Sequence, residues 1–107
     1  MITAIVEFNL PRDRRREDIV AVFRQSIPRY QEKPGLVRKY YLLDEASGTA
    51  GAVYLWENRA AAETTYDEAW RQSFIERYGA DPTIRYFDTP VIVDNLTGET
   101  IAENGGR

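Results

Sequence analysis

Two neighbouring segments decide the fold of this chain: Pro34-Gly35-Leu36-Val37-Arg38-Lys39-Tyr40-Tyr41-Leu42-Leu43 and Ala50-Gly51-Ala52-Val53-Tyr54-Leu55-Trp56-Glu57. Both are rich in strand-favouring residues, and the polar, turn-forming residues 44–49 separate them, which predicts a β-hairpin. Large apolar or aromatic side chains recur on both faces of each predicted strand. Because a half-solvated sheet alternates apolar with polar residues, this hairpin is predicted to be covered on both sides.

The segment before the hairpin predicts one strand and one helix. Residues 2–10 alternate between apolar and polar side chains, and Pro11 ends this strand. Apolar residues then recur at helical spacing, with Asp13 as the predicted N-cap. Pro28 lies inside this pattern and is predicted to kink or end the helix.

The segment after the hairpin predicts a second helical region and a fourth strand. Asn58 is the predicted N-cap of the first of two helical pieces that meet near residues 64–65. Thr65 and Glu68 form a capping-box pattern for the second piece, and Gly79 is predicted to end it. Residues 83–94 form the last predicted strand, in which Pro90 marks an edge, a bulge or a break.

The order strand, helix, strand, strand, helix, strand predicts an α+β, ferredoxin-like fold. This arrangement has one four-stranded antiparallel sheet with both helices on one face. A length of 107 residues suits a single domain. We expect this domain to span residues 1–95, and the polar residues 96–107 to form a C-terminal tail.

Strict alternation divides the side chains of the predicted sheet between two faces. The helix-facing set is Val6, Phe8, Arg38, Tyr40, Tyr54, Trp56, Ile84 and Tyr86. The opposite set is Ile5, Val37, Tyr41, Leu43, Val53, Leu55, Phe87, Val91 and Val93. No predicted element covers the opposite face, and an apolar patch of that size favours association. A homodimer with face-to-face sheets is therefore predicted, through Val37, Lys39, Tyr41, Val53, Leu55 and Phe87.

The opposite face also carries one charged residue per strand, namely Glu7, Lys39, Glu57 and Arg85. In the usual ferredoxin-like strand order, Arg85 neighbours Glu7 and Lys39 neighbours Glu57, so opposite charges can pair across strands. We favour paired charges at the dimer interface, and the alternative is a solvated rim.

Composition excludes several classes of function. The net charge of −3 argues against nucleic-acid binding, and no apolar run is long enough to span a membrane. The strand-like first residues predict no secretion signal and a cytoplasmic location. The chain has no cysteine and no histidine, which excludes thiolate and Ser-His-Asp chemistry. No metal site and no cofactor are predicted.

Seven aromatic side chains are predicted to meet between the sheet and the second helical region: Tyr40, Tyr54, Trp56, Tyr66, Trp70, Phe74 and Tyr86. A core made for stability favours Leu, Ile and Val, because tyrosine hydroxyls need partners when they are buried. Arg38 and Asp88 lie on the same face by alternation and could supply them. The residues alone support a ligand pocket and a wide aromatic core about equally.

At Pro34-Gly35-Leu36, at Lys39 and along Gly51–Trp56, the chain resembles the YdhR-like family of putative monooxygenases. That family belongs to the dimeric α+β barrel superfamily, with the cofactor-free antibiotic-biosynthesis monooxygenases. Its pattern has two glycines before the Tyr-Leu-aromatic run, and here the second is Ala52. The resemblance implies a ferredoxin-like fold, a sheet-to-sheet homodimer, and a pocket between helices and sheet.

The resemblance and the absence of histidine together favour oxidation of a small aromatic or polycyclic phenol by dioxygen, without a cofactor. Arg38 would stabilise the phenolate, Tyr40 or Tyr66 would orient hydroxyls or relay a proton, and Trp56 would stack on the ring. The predicted substrate-binding residues are Tyr54, Trp70, Phe74, Tyr86 and Asp88, with Asp88 also a candidate base.

Other readings of the same residues stay open. Asn58 is a tempting counterpart of a catalytic asparagine of the relatives, but it also serves as a helix N-cap. The chain could instead bind a small aromatic or lipophilic ligand without catalysis. It could also be an interaction protein whose aromatic interior is only a core.

Overall fold

Six strands and three helices make up the protein in a computed structural model, which describes residues 1–102. In chain order they are β1 (Ile2–Asn9), α1 (Arg16–Gln31), β2 (Leu36–Asp44), β3 (Thr49–Trp56), α2 (Arg59–Thr65), α3 (Glu68–Tyr78), β4 (Thr83–Asp88), β5 (Val91–Asp94) and β6 (Glu99–Ala102). Within this part of the chain, no helix combines the length and the apolar character that crossing a membrane requires.

Strands β1 to β4 form one antiparallel sheet in the order β2-β3-β1-β4. Strand β1 alternates buried with partly buried residues, as the sequence predicts. Its buried side chains pack with Trp56 of β3, Phe23 of α1 and Phe74 of α3 in one core. The predicted α+β, ferredoxin-like architecture is therefore confirmed.

A glycine allows the two central strands to approach. A Cβ atom built on Gly51 of β3 would lie 1.9 Å from the carbonyl oxygen of Val6 on β1, a distance that no side chain tolerates. Gly35, with φ of 82°, lies under α2 in the same way, because a Cβ there would lie 2.5 Å from the Cβ of Ala61. Close backbone packing thus explains glycine at two positions of the hairpin.

The second helical region begins and ends where the sequence predicts. The Asn58 side chain accepts a hydrogen bond from the Ala61 N–H at 2.9 Å, and Gly79, with φ of 72°, ends α3. The predicted break into two pieces is confirmed, although Asp67, and not Thr65, caps the second piece through the Trp70 N–H.

The start of α1 differs from the prediction. Asp13 is not its N-cap, because the helix begins at Arg16 and the Asp18 carboxylate accepts the Arg15 N–H at 3.1 Å. This hydrogen bond from the first turn satisfies a backbone N–H that has no partner within the helix. Pro28 does not end the helix, which continues to Gln31.

An irregularity at the start of β2 reverses the predicted faces of that strand. Leu36 pairs with Trp56 and Arg38 pairs with Leu55, so Val37 is an extra residue without a partner on β3. Such a bulge re-aims the side chains that follow it. The faces predicted for β2 by strict alternation are therefore wrong from the bulge onward. Arg38, Tyr40 and Leu42 lie on the outer face, and Lys39, Tyr41 and Leu43 lie on the helix side.

The same reversal changes the predicted interface and its charges. Lys39 and Tyr41 do not belong to the outer face, so their predicted places in a dimer interface are wrong. The predicted pairing of Lys39 with Glu57 is wrong for the same reason. The pairing of Arg85 with Glu7 is confirmed, with Nη2 and Oε1 3.2 Å apart.

The chain after β4 forms a separate hairpin. Pro90 breaks the strand predicted over residues 83–94, and β5 pairs with β6, which lies within the segment predicted as a tail. An ion pair of 2.9 Å between Arg38 and Asp94 joins this hairpin to β2. The last part of the predicted tail, residues 103–107, lies outside the described residues.

Candidate functional site

Five of the predicted site residues form a continuous cluster of aromatic rings between the sheet and α3. Tyr54 and Trp56 are stacked, with ring centroids 6.0 Å apart and planes 9° apart. Tyr66 meets both of them edge-on, at 5.3 and 5.7 Å, and Trp70 lies 4.8 Å from Tyr66. Phe74 follows at 5.2 Å from Trp70. The prediction that these rings meet is confirmed.

The polar atoms of this cluster bond to one another. The indole N–H of Trp56 donates to the Tyr66 hydroxyl at 3.0 Å, and that of Trp70 donates to the Tyr30 hydroxyl at 2.9 Å. Trp56 has no exposed surface and Tyr54 is buried. Partnered donors and closely packed rings are the properties of a core, so these rings form a wall rather than the interior of a pocket.

The tyrosines of this core keep their protons. Burial raises the pKa of Tyr54 well above its ordinary value, and it also raises the pKa of Tyr66 and Tyr78. Within this cluster, therefore, the phenol groups can donate or accept hydrogen bonds, but they do not supply a base near neutral pH.

Two other predicted residues lie at the rim of the cluster. Tyr86 is partly buried, 6.3 Å from Tyr66, and its ring lies 4.4 Å from the Arg59 guanidinium. Asp88 is exposed at the end of β4, where it lines a shallow surface cleft with Asn58. The prediction from alternation that Asp88 meets the aromatic rings is therefore wrong.

Arg38 and Tyr40 lie on the far side of β2 from the aromatic cluster. The Tyr40 side chain is 54% exposed, and its hydroxyl accepts a hydrogen bond of 3.4 Å from Arg38. Arg38 also pairs with Asp94, and these two contacts raise the pKa of its guanidinium. The structure thus separates the nine predicted site residues into three places: the core, its rim and the outer face.

A different cavity lies at the edge of the sheet, between α1 and β2. This α1–β2 cleft has a volume of about 380 Å³. Its lining residues are Ile27, Tyr30, Gln31, Leu36, Val37, Arg38, Lys39 and Tyr41. Apolar walls with a few polar groups are typical of sites for small ligands. Arg38 reaches this cleft from the outer face because β2 is an edge strand.

Of the two charged residues that line the α1–β2 cleft, Lys39 is the one that faces the tyrosine rings. Its Nζ lies 3.6 Å from the ring centroid of Tyr30, 4.1 Å from that of Tyr41 and 4.5 Å from that of Tyr54. These ring faces stabilise an ammonium group. Within residues 1–102, no carboxylate lies within 4.0 Å of this nitrogen.

The lysine amine is neutral in a large part of the molecules at pH 7. Burial first, and the positive charge of Arg29 second, lower the pKa of Lys39 to about 7. A neutral amine has a lone pair that can accept a proton or attack an electrophile, whereas an ammonium group has neither ability. Lys39 is thus the group in this cleft with chemistry suited to neutral pH.

The second tyrosine of the cleft is fixed by α1. The Tyr41 and Ser26 hydroxyls lie 2.6 Å apart, and Ser26 also donates to the Phe23 carbonyl at 2.8 Å. Because the single proton of Ser26 is used in that bond, Tyr41 is the donor to Ser26. Burial raises the pKa of Tyr41, so it stays protonated and keeps this bond.

Sequence reasoning missed Lys39, Tyr30 and Tyr41 as members of one site. Tyr30 was part of the helical pattern of α1, and the other two were assigned to the outer face. One signal was available, because Arg38 and Lys39 are adjacent cations in a strand whose residues are otherwise apolar or aromatic up to Leu43, so one of the two must point to the helix side. The residue types could not reveal the bulge that turns it inward.

The sequence matches one family of known proteins over most of its length. The family described as "Putative mono-oxygenase ydhR" matches residues 5–88 of the chain. No curated protein sequence is significantly similar to it.

Several solved structures share the fold at low sequence identity. A putative antibiotic biosynthesis monooxygenase from Deinococcus radiodurans has 12% identity and a TM-score of 0.65, over 88% of this chain and 97% of that one. SnoaB, a cofactor-independent oxygenase from Streptomyces nogalater, has 13% identity and a TM-score of 0.63, over 82% of this chain and 91% of that one. A protein of unknown function from Nitrosomonas europaea has 12% identity and a TM-score of 0.66, over 82% and 87%.

Proposed function

Because this chain belongs to the ydhR family of putative mono-oxygenases, we propose that it oxidises a small aromatic or polycyclic phenol with dioxygen in the α1–β2 cleft, without a cofactor. The observation that carries this proposal is the amine of Lys39, whose pKa of about 7 makes it a proton acceptor inside a cleft with tyrosine walls. The fold shared with SnoaB, a cofactor-independent oxygenase, supports the choice of chemistry.

The first proposed step is a proton transfer within the cleft. The aromatic ring of the substrate lies between Ile27 and Leu36, and its hydroxyl meets Lys39. The neutral amine takes the phenolic proton, and the resulting ammonium group stabilises the phenolate as an ion pair. The Arg38 guanidinium at the edge of the cleft adds positive charge, so Arg38 keeps the electrostatic role that the sequence suggested.

The second proposed step is oxidation of the phenolate by dioxygen. At a ring carbon that carries one hydrogen, one atom of dioxygen becomes a carbonyl oxygen. The other leaves as water with that hydrogen and the phenolic proton that Lys39 holds. All four electrons that reduce dioxygen come from the substrate, so the reaction needs no external reductant. The protein binds the ring, removes one proton and excludes water.

The other residues predicted from the sequence take supporting roles in this proposal. Tyr54 packs beneath the Lys39 amine, and Trp70 holds the hydroxyl of Tyr30. Trp56, Tyr66, Phe74 and Tyr86 support that wall from behind. We assign no catalytic role to Tyr40 or Asp88, because neither contributes to the lining of the cleft.

We also propose that a second copy of the chain covers the outer face of the sheet. Large side chains on this face are exposed, including Tyr40, Leu42 and Phe87. Sedimentation of the wild type as a dimer at micromolar concentration, and of Phe87→Asp as a monomer, is the expected result. A monomeric wild type would contradict it.

Oxygen uptake tests the enzymatic proposal. Wild type, Lys39→Met and the matched control Lys33→Met are supplied with a panel of naphthols, quinols and hydroxylated anthrones in buffer that contains a metal chelator. We expect at least one phenol to consume oxygen with the wild type and with Lys33→Met. Lys39→Met should be slower by at least about 100-fold, the usual loss when a general base is removed.

Two results would contradict this function in different ways. Equal oxygen uptake by wild type and Lys39→Met would remove the lysine from the mechanism. Quenching of tryptophan fluorescence by a phenol, without oxygen uptake by any member of the panel, would favour the alternative of a non-catalytic binder of small aromatic ligands. Trp70 is a suitable reporter because it is hydrogen-bonded to Tyr30 in the wall of the cleft.

A further inference from the structure

The chain contains two lysines, and they differ in their surroundings. Lys33 lies in the connection between α1 and β2, outside the lining of the α1–β2 cleft. Lys39 lines that cleft, and three tyrosine rings surround its amine at 3.6 to 4.5 Å. Both lysines are partly buried, but Lys39 lies in an aromatic cavity, whereas Lys33 lies beside a separate cleft that no tyrosine lines.

Burial and the positive charge of Arg29 favour a neutral, nucleophilic amine at Lys39, and they outweigh the ring faces that stabilise its ammonium form. From α1 come the Arg29 guanidinium and the Tyr30 ring, from β2 come Arg38 and the Tyr41 ring, and from β3 comes the Tyr54 ring. Of the two cations in this set, Arg38 is paired with Asp94, so Arg29 is the charge that acts on the amine. The described residues place no carboxylate within ion-pairing distance of Nζ. A lysine that is desolvated beside other cations is the arrangement by which proteins activate an amine for attack on carbonyl compounds.

We propose that Lys39 is a carbonyl-capturing amine, which binds small aromatic aldehydes in the α1–β2 cleft as an imine. The Lys39 nitrogen attacks the carbonyl carbon, a carbon–nitrogen bond forms, and the carbonyl oxygen leaves as water with two protons. No oxidant or reductant takes part in this step. The aromatic ring of the aldehyde packs against Tyr30 and Tyr41, beside the apolar side chains of Ile27 and Leu36.

Reductive trapping with benzaldehyde tests the proposal on the full chain. The protein is incubated with benzaldehyde and sodium cyanoborohydride at pH 7.5, and the benzylated residues are located by mass spectrometry. We expect Lys39 to be modified at least about tenfold faster than Lys33, because about three quarters of an amine with a pKa of about 7 is neutral at this pH. The rate at Lys39 should rise with pH around pH 7.

The same molecule supplies internal controls. Lys33 and the amino group of Met1 compete for benzaldehyde in every sample, and protein unfolded in urea shows their reactivity without the cleft. The preference for Lys39 should disappear in urea. Lys39→Arg should lose the adduct, whereas Lys33→Arg should keep it. Equal modification of Lys39 and Lys33 in the folded wild type would overturn the proposal, whether or not either variant folds.

Carbonyl capture and phenol oxidation fail separately. Selective trapping at Lys39 without oxygen uptake would support the capture site and contradict the proposed oxygenase. Oxygen uptake without selective trapping would support the proposed oxygenase and contradict the capture site. Saturating benzaldehyde should also inhibit oxygen uptake, because both proposals use the same cleft.

Discussion

Two aromatic regions on the helix side of one sheet differ in what their polar atoms meet. In the core beneath α3, the indole N–H of Trp56 bonds to Tyr66, and Trp56 itself has no exposed surface. In the α1–β2 cleft, the amine of Lys39 meets ring faces and no carboxylate within residues 1–102. Tyrosines with hydrogen-bonded hydroxyls thus line both regions, and the cleft differs in that an amine lies among them without a carboxylate partner.

The largest effect is expected in the core. Trp56→Ala should lower the free energy of unfolding by about 3–5 kcal/mol, because it removes a fully buried ring that stacks on Tyr54. Urea denaturation followed by circular dichroism measures this loss. Trp56→Phe is the control and should recover a large part of it. A loss below about 1 kcal/mol would show that the core is loosely packed.

In the cleft, by contrast, a substitution is expected to stabilise the protein. Lys39→Met should raise the free energy of unfolding by about 1–3 kcal/mol at pH 6, because it replaces a partly buried charge by an apolar side chain of similar length. Lys33→Met is the matched control and should change it little. Destabilisation by Lys39→Met at pH 6 would show that the ring faces outweigh the cost of burial.

This stabilisation should depend on pH. The pKa of Lys39 is about 7 in the folded protein and ordinary, near 10.5, in the unfolded chain. Between these values the unfolded chain binds more protons, so the stability of the wild type rises with pH over this window. The advantage of Lys39→Met should be largest below pH 7 and should shrink toward pH 10. A constant difference across this range would contradict the lowered pKa.

A smaller effect separates the hydrogen bonds of the two regions. Tyr66→Phe removes the acceptor of the Trp56 indole and leaves a buried donor unpaired, which should cost about 1–2 kcal/mol. Thermal or urea denaturation measures this cost. Tyr66→Leu should cost more than Tyr66→Phe, because it also removes the ring contacts with Tyr54 and Trp70.

The smallest effect is expected for the corresponding change in the cleft. Tyr41→Phe removes a donor to Ser26, but the Ser26 proton keeps its bond to the Phe23 carbonyl, so no buried donor is left unpaired. The loss should be about 0.5–1 kcal/mol. If Tyr41→Phe costs more than Tyr66→Phe, the contrast between a paired core and an open cleft is wrong.

Much of the fold could be predicted from the sequence because several local signals agree. The period of β1, the asparagine cap of α2 and the glycine that ends α3 are each local signals, which span only a few residues. The start of α1 could not be placed at Arg16, because Asp13 and Asp18 are both capable of binding a free N–H near the helix start.

The site could be predicted only in part, and the reason lies in β2. Its two faces carry equivalent residues, since Arg38 and Tyr40 on one side match Lys39 and Tyr41 on the other. A pattern of this kind does not select one of the two orientations, and a single bulge residue then reverses the result. The aromatic cluster was predicted correctly because it depends on β3 and α3, whose spacing is regular.

The unpaired position at Val37 also bears on how a chain of this kind can change in length. Because Leu36 and Arg38 already occupy consecutive partners on β3, deletion of Val37 would leave the pairing from Arg38 onward as it is. Homologous chains could therefore gain or lose one residue here by insertion or deletion, and a lysine at position 39 would still point toward the first helix. An alignment that forces a gap elsewhere in this strand would match the two faces incorrectly.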